Sequence, residues 1–451
     1  MSTTVHSSTL RRLKRELPPS PPQPAALQTV AGRRWAYSYF RYCQRTCGDP
    51  FTLYPLDMLP MVFFADPEEV RSVLTGDAGE LHAGAGAKSL EPLIGKRSFM
   101  LLEEDEHVAG RKVVAPAFHR RMVQEQTAAL TGTVEAAVRS WPLGAPIPLL
   151  SHIRALTLTV ILRAIFGEDS ELGRLHHLLT RMLGIADTLL LQGPRLQHFV
   201  GWRGPWRRFI DRRQEVDDVI RRLVARRERS NESGERGDLL DMLLSAGNED
   251  GSSLSSREIR DQLMSMIVSG HETTAGELAW ALLMLAHNQT VQDRLAEELD
   301  SGSAEYLTAT VHETLRHKPV FVFTIPREVV TPVQVGPRMY APPVQLAACT
   351  YLLHHNPDLY PDPDTFRPER FLGAAPQSRT WLPWGGGRKH CLGRHFAMLE
   401  LTTILGHVIS TRTVVPASER IEQPRWRSAI LVPSQGARII LADRRHSRNF
   451  F

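Results

Sequence analysis

The element that limits the fold most is a helix expected from Arg257 to about Asn288. Straight, it would run about 48 Å, a length unusual in a globular protein. Ser255 and Glu258 stand at capping-box spacing where it begins. A second strong helix is expected from about Ala304 to His317, and Pro319 requires it to end there. A last long helix starts just after Cys391 and reaches about Thr411. The run Leu156 to Phe166 is apolar nearly all round, so it reads as a buried helix. Asp66, Pro67 and Glu68 give the cap, first-turn proline and early acid of another helix start. A helix from Asp105 toward Thr131 should break or kink at Pro116.

Strand character is confined to short stretches. Phe321 to Ala348 is rich in Val, Ile and Thr with Pro and Gly between them, and Ile430 to Leu441 surrounds a Pro433–Gly436 turn. Arg226–Gly237, Ser245–Ser256 and His354–Gly387 read as loops. The expected fold is mainly α with a small β portion. No repeat is present and no linker marks a boundary, so residues 25–451 are expected to form one large domain. Residues 1–24 read as a mobile tail, basic and Ser/Thr-rich up to Glu16 and with five prolines between Leu17 and Pro24.

Composition excludes several classes. The net charge is +5 with no basic stripe interleaved with aromatics, so nucleic acid is not an expected partner. Four cysteines in 451 residues are too few for a disulfide scaffold. Cys43 and Cys47 lack further ligands at zinc spacing and, with Cys349, read as structural. No run of about 18 apolar residues suggests a transmembrane anchor, and no apolar h-region suggests a secretory signal.

The chemistry lies in four places. Trp384-Gly385-Gly386-Gly387-Arg388-Lys389-His390-Cys391-Leu392-Gly393 carries one cysteine to a helix start. Glycines there allow close approach to a flat ligand. The helix N-terminus favours thiolate. As a phosphate loop it lacks the Lys-Ser/Thr that would open the helix. Gly270-His271-Glu272-Thr273-Thr274 gathers a carboxylate, hydroxyls and poor helix formers inside the long helix, which fits either a locally bent core helix or a proton relay. Glu313 and Arg316 share a helix face, and Phe366–Phe371 offers Arg370 as a further partner for Glu313.

These four elements, in this order, resemble the cytochrome P450 family. The cysteine loop lies about 75 residues beyond the Glu-Arg pair, and the resemblance runs from about Gly48 to the C-terminus. It implies the cytochrome P450 fold and a haem b cofactor whose iron takes Cys391 as axial ligand. Gly387 and Gly393 match the loop's glycines. Trp384 stands where phenylalanine is usual, over the sulfur, and Lys389 where arginine or histidine usually faces a haem propionate. His107, Arg111 and Arg327 match the other propionate positions. Glu272 and Thr273 match the acid–alcohol pair that delivers protons to bound dioxygen, with Ser269 in place of a more usual Ala or Gly. Glu313, Arg316 and Arg370 match a structural triad. Met266, Ile267 and Ser269, with Val320, Phe321, Val322 and Phe323, are expected to line the substrate pocket, though core packing is the competing reading for the apolar ones.

The resemblance implies a monooxygenase that inserts one atom of O2 into a lipophilic small molecule by C–H hydroxylation or epoxidation. Electrons from NAD(P)H would arrive indirectly through a ferredoxin and its reductase, docking at a basic face made by Arg388, Lys389, Arg394 and His395. A cytoplasmic, monomeric enzyme of secondary metabolism is expected. A haem-thiolate peroxygenase or isomerase, and a non-catalytic haem-binding protein, are the readings from other classes. The substrate is not legible in the sequence.

Overall fold

The capping box forms as its spacing requires. Ser255 Oγ accepts the Glu258 N–H at 3.3 Å, while the Glu258 carboxylate accepts the Ser255 N–H at 2.9 Å. The computed structural model in which this is seen describes residues 15–189, 204–229, 238–246 and 253–444. Eight helices carry the description: α1 Pro67–Thr75, α2 Glu104–Val114, α3 Leu149–Phe166, α4 Leu172–Leu189, α5 Pro205–Arg229, α6 Ser256–Ala286, α7 Glu305–His317 and α8 Arg394–Thr411. The capped helix is α6, and almost every side chain along it is buried.

Helix α6 packs along α3 and also touches α7 and α8, so it runs through the middle of a helical body. Gly270 allows one close approach: a Cβ there would sit 3.1 Å from the Ile161 side chain of α3. Among the described residues, α3 is the one helix long and apolar enough to cross a membrane, yet 67% of it is buried inside the protein. It is therefore a core helix that needs its apolar surface on all sides.

The strands are β1 Phe51–Leu53, β2 Met61–Phe64, β3 Leu81–His82, β4 Pro146–Pro148, β5 Arg327–Val329, β6 Val333–Val335, β7 Arg338–Tyr340, β8 Gln345–Ala348, β9 Arg412–Pro416, β10 Pro424–Arg427, β11 Ile430–Pro433 and β12 Arg438–Asp443. The largest sheet has the order β1-β2-β8-β5-β3, and only its β2–β8 pair is parallel. The hairpin β10–β11 lies beside α6, with Trp280 Nε1 donating to the Leu431 carbonyl at 3.0 Å. The result is one mainly helical domain with small sheets.

Pro116 ends α2 as expected, and a 3-10 turn, Ala115–Phe118, takes the chain onward. Asp66 caps α1 by accepting the N–H groups of Glu68 and Glu69. Two boundaries differ from the sequence reading. The packed body reaches back before Ala25: Leu17 is buried, and the Pro18 and Pro19 carbonyls accept from Thr52 Oγ1 and N. Arg226 to Arg229 are helical, because Arg226 pairs with Asp169 and buried Arg227 pairs with Asp238 and Asp241. The rest of that expected loop, and much of the Ser245–Ser256 connection, lie outside the described residues.

Candidate functional site

The cysteine loop is folded tightly by its own backbone. The Cys391 N–H donates to the Trp384 carbonyl at 2.8 Å, and the His390 N–H donates to Gly387 at 3.1 Å. Gly385 and Gly387 have φ of 65° and 63°, a region costly for other residues. At Gly387 a Cβ would also lie 1.8 Å from the Leu74 carbonyl oxygen, so the loop is pressed against the end of α1. Gly393 caps α8, with its N–H directed at the thiol.

Burial pushes the Cys391 thiol up; the Gly393 N–H and the charges of Arg111 and Arg394 oppose it without prevailing. The helix-start effect expected from sequence is thus present but smaller than desolvation. The protein alone does not supply a thiolate here. A bound metal would, since a coordinating thiol is deprotonated outright.

Beside this loop a small opening is lined by Leu74, Glu103, His107, Arg327, Arg388 and Lys389, among others. His107 reaches it from α2. The loop before α2 is pinned to α6, with the Arg97 N–H on Asp261 at 3.0 Å and the Phe99 N–H on Gln262 at 3.2 Å. Both ring nitrogens of His107 lie within hydrogen-bond reach of carbonyls, Phe99 at 2.8 Å and Arg388 at 3.2 Å. Arg327 is buried, and burial lowers its pKa to about 10 against the opposing charge of Glu103. Lys389 turns inward, donating to the Leu102 carbonyl at 2.6 Å, and burial lowers it to about 8. Neither cation forms an ion pair among the described residues. Glu103 is the opposing charge both of them feel, but its oxygens take the Ala83 and Ala85 N–H groups and it makes no direct ion pair with either. Buried cations without counter-ions are costly, so the opening is built for an anion. Arg111, one turn beyond His107, acts on Cys391 instead.

On the opposite side α6 presents hydroxyls at a four-residue repeat. Ser265, Ser269 and Thr273 each donate to the carbonyl four residues back, at 2.6, 2.7 and 2.6 Å. Ser269 is exposed and Thr273 half-buried although their helix is buried, so both border an internal space.

Glu272 faces elsewhere. Adjacent helical residues stand about 100° apart, and its carboxylate is bound by Arg154 of α3, at 3.0 and 3.1 Å from Nε and also by Nη2. His271 lies 3.3 Å away and Arg427 of β10 3.9 Å away, and Asp187 of α4 shares both arginines. Burial alone would raise the Glu272 carboxyl, but His271 and Arg154 outweigh it and bring it down to about 2. Asp187 goes the other way, up to about 6, through burial and the charge of Glu272. The expected acid–alcohol pair is thus a carboxylate locked to arginines beside a hydroxyl on another face.

Other expected residues divide clearly. Buried Glu313 and Arg316 form a two-point pair at 2.7 and 2.8 Å, and Arg370 Nε approaches Glu313 at 3.5 Å. Of the expected pocket residues, Phe321 is 38% exposed, but Val322 is wholly buried in an aromatic cluster and Phe323 stacks on Phe40. Ile267, on the far side of α6 from Ser269, and Met266 are core residues, and Val320 is buried against Gly276. Those four buried residues correct the sequence reading: alternation of Val and Phe shows an extended segment without showing which side is open. The sequence reading missed Arg154, Asp187 and Arg427, which come from three distant segments and carry no shared pattern. It also missed Glu400 of α8, fully buried and pushed well up by burial, with neither carboxyl oxygen hydrogen-bonded among the described residues.

A half-buried cysteine on a glycine loop, a cationic opening for paired carboxylates and a hydroxyl-bearing helix fit a flat, dicarboxylate, iron-bearing cofactor: the site is that of a haem-thiolate protein. The sequence model described as cytochrome P450 matches residues 18–441. A Mycobacterium bovis protein provisionally named cytochrome P450 135B1 is 33% identical over 433 residues, which cover 94% of this chain and 91% of that protein. One from the same organism provisionally named cytochrome P450 138 is 31% identical, covering 95% and 97%. The solved structure of retinoic acid-bound cyanobacterial CYP120A1 has the same fold, with a TM-score of 0.82 over 95% of this chain and 99% of that one at 21% identity. This chain belongs to the cytochrome P450 family, whose members are haem-thiolate monooxygenases using haem iron and O2.

Proposed function

We propose that this chain inserts one oxygen atom of O2 into a lipophilic organic substrate, by C–H hydroxylation or epoxidation, with electrons brought by a separate protein. The observation that carries the reading is the placement of buried Arg327 and half-buried Lys389, neither in an ion pair among the described residues, beside the loop that holds Cys391. A haem seated there would supply the oxygen chemistry, with the Cys391 thiolate as the ligand the family uses for it.

The chain's own residues then have these tasks. Cys391 would hold the haem iron, with Gly387 and Gly393 shaping the loop around it and Trp384 beside it. His107, Arg327 and Lys389 hold the propionates, and Arg111 offsets charge at the sulfur. Thr273 handles a proton: its O–H is engaged with Ser269, which leaves its oxygen free to accept another. Glu272 acts as a fixed carboxylate, not as a donor. Phe321 and Ser269 form the substrate-facing wall.

Electrons enter at the opposite surface, from NAD(P)H by way of a reductase and a ferredoxin. Arg388, Arg394 and His395 are exposed there, and His119 and Arg120 adjoin them. Lys389 does not belong to this face. The test is the reduced protein under carbon monoxide. A red-shifted Soret band is expected for the wild type and its loss for Cys391→Ser. A wild type without that band would overturn the reading.

A further inference from the structure

Helix α6 continues the repeat of Ser265, Ser269 and Thr273 with Glu277, four residues further on. An acid there is unusual company, for Glu277 is 5% exposed amid Leu278, Trp280 and Ala281. Its Oε1 accepts the Val320 N–H at 3.0 Å, and its Oε2 has no hydrogen-bond partner among the described residues. Burial pushes the carboxyl up to about 8, with the Val320 N–H opposing, so it keeps its proton at neutral pH and no charge is buried.

The partner segment matters more than the acid itself. Residues 320 to 327 run from Glu277 of α6 to the cysteine loop, where Arg327 Nη2 reaches the Gly386 carbonyl at 3.4 Å. The segment therefore bridges the two sides between which the cofactor would lie. The Val320 carbonyl accepts from the Leu431 N–H at 2.8 Å, and the Pro319 carbonyl accepts from Tyr37 at 2.9 Å. Gly276 leaves the space for Val320, since a Cβ there would stand 3.0 Å from the valine side chain. With Val320 and Val322 buried, the side chain left open between them is Phe321.

We infer that Glu277 is a positioning residue for substrate: it ties Val320 to α6 and so fixes how the Phe321 ring stands across from Ser269 and Thr273. This rests on the haem-thiolate reading above. Beyond Phe321 the segment is held by the Val322 carbonyl, which accepts the Tyr351 N–H at 3.0 Å, and by the Thr324 N–H on the Ala348 carbonyl at 2.9 Å. Before it, the Val320 and Pro319 carbonyls are held from β11 and Tyr37, and the hydrogen bond to the oxygen-side helix is this carboxyl's. Removing it frees the end of the segment nearest Thr273 and leaves the Val320 N–H buried without an acceptor. The substrate wall then shifts, while the cysteine loop keeps its own bonds.

The test uses 1-alkylimidazoles from methyl to dodecyl, whose ring binds ferric haem whatever the natural substrate is. Soret titrations are made on holoenzyme of the wild type, Glu277→Gln, Glu277→Leu and Glu277→Asp. Gln keeps the acceptor and the reach; Leu removes the acceptor; Asp keeps the acid but withdraws it from Val320. Wild type and Gln should share one dependence of affinity on tail length. Leu and Asp should bind the methyl compound as the wild type does and lose about tenfold at the longest tails, the scale of one buried hydrogen bond. A merely structural role would lower haem loading without changing that dependence. One dependence shared by all four proteins would overturn the inference. Should Leu fail to load haem, Asp decides. A carbon monoxide band missing from the wild type would strike the haem reading, whereas an intact band with unchanged tail dependence strikes only the role of Glu277.

Discussion

Two carboxyls five positions apart on α6 are held in opposite states, and pH separates them. Glu272 is brought down to about 2 when the opposing burial is outweighed by His271 and Arg154, so its stabilisation is complete above about pH 4.5 and is lost as pH falls toward 2. Glu277 is raised to about 8, so the folded protein keeps a proton that the unfolded chain gives up above about pH 4.5. Its contribution falls as pH rises through that window and levels off above 8. Glu277→Gln cannot titrate. In urea denaturation its stability minus that of the wild type should rise from pH 5 to pH 8 and then flatten; a difference that stays level or falls over that range would refute the assignment. Removing Arg154 tests the other acid. Arg154→Met leaves Asp187 with Arg427, and Glu272 with His271 and a more distant Arg427, and breaking so buried a pair costs about 3–5 kcal/mol. The same denaturation experiment at pH 7 measures it, and a loss under about 1 kcal/mol would mean the cluster is compensated by water. Neither arginine was legible as a partner of Glu272, because contacts between α3, β10 and α6 depend on how distant segments pack.

The local elements were far easier to read. Ser255 and Glu258 announce α6 because a capping box is made within four residues, and Asp66-Pro67-Glu68 announces α1 for the same reason. The cysteine loop was legible as a turn, yet its exact need for Gly387 was not, since the clash is with Leu74 of α1. Gly387→Ala meets both a φ of 63° and a carbonyl 1.8 Å from the new Cβ, so the loop must move away from α1. Haem content per protein should fall several-fold on purification. Gly393→Ala, at φ of −82° with only ordinary contacts around it, should retain far more. Equal haem content in the two variants would show that α1 does not set the loop. On α6, Thr273→Ala removes the hydroxyl bordering the internal space and leaves the helix intact. Product formed per NAD(P)H consumed should drop while substrate binding persists, and an unchanged yield would exclude Thr273 from proton handling.

Charge distribution orders the protein into two faces with different duties for neighbouring cations. Arg388 and Lys389 are consecutive, and the sequence reading placed both on the docking face while also matching Lys389 to a propionate position. The structure separates them: Arg388 is exposed, whereas Lys389 is half-buried with its ammonium turned inward onto the Leu102 carbonyl. Only a tertiary contact made by the loop before α2 turns the lysine inward, so sequence order could not show it. Exposed Arg394 and His395, with His119 and Arg120, extend the outer patch. An acidic electron donor would be drawn to that patch, and salt would screen the attraction over a Debye length of about 8 Å at physiological ionic strength. The double variant Arg388→Glu with Arg394→Glu should lower the second-order rate of reduction by a ferredoxin about tenfold at low salt and flatten its dependence on ionic strength. Lys389→Gln should leave that dependence as in the wild type and weaken haem retention instead, because its charge serves the inner opening. Stopped-flow reduction across a salt series reads the first effect, and transfer of haem to an apo-globin acceptor reads the second. If Lys389→Gln flattened the salt dependence as strongly as the double variant, the division between an outer docking face and an inner propionate site would be lost.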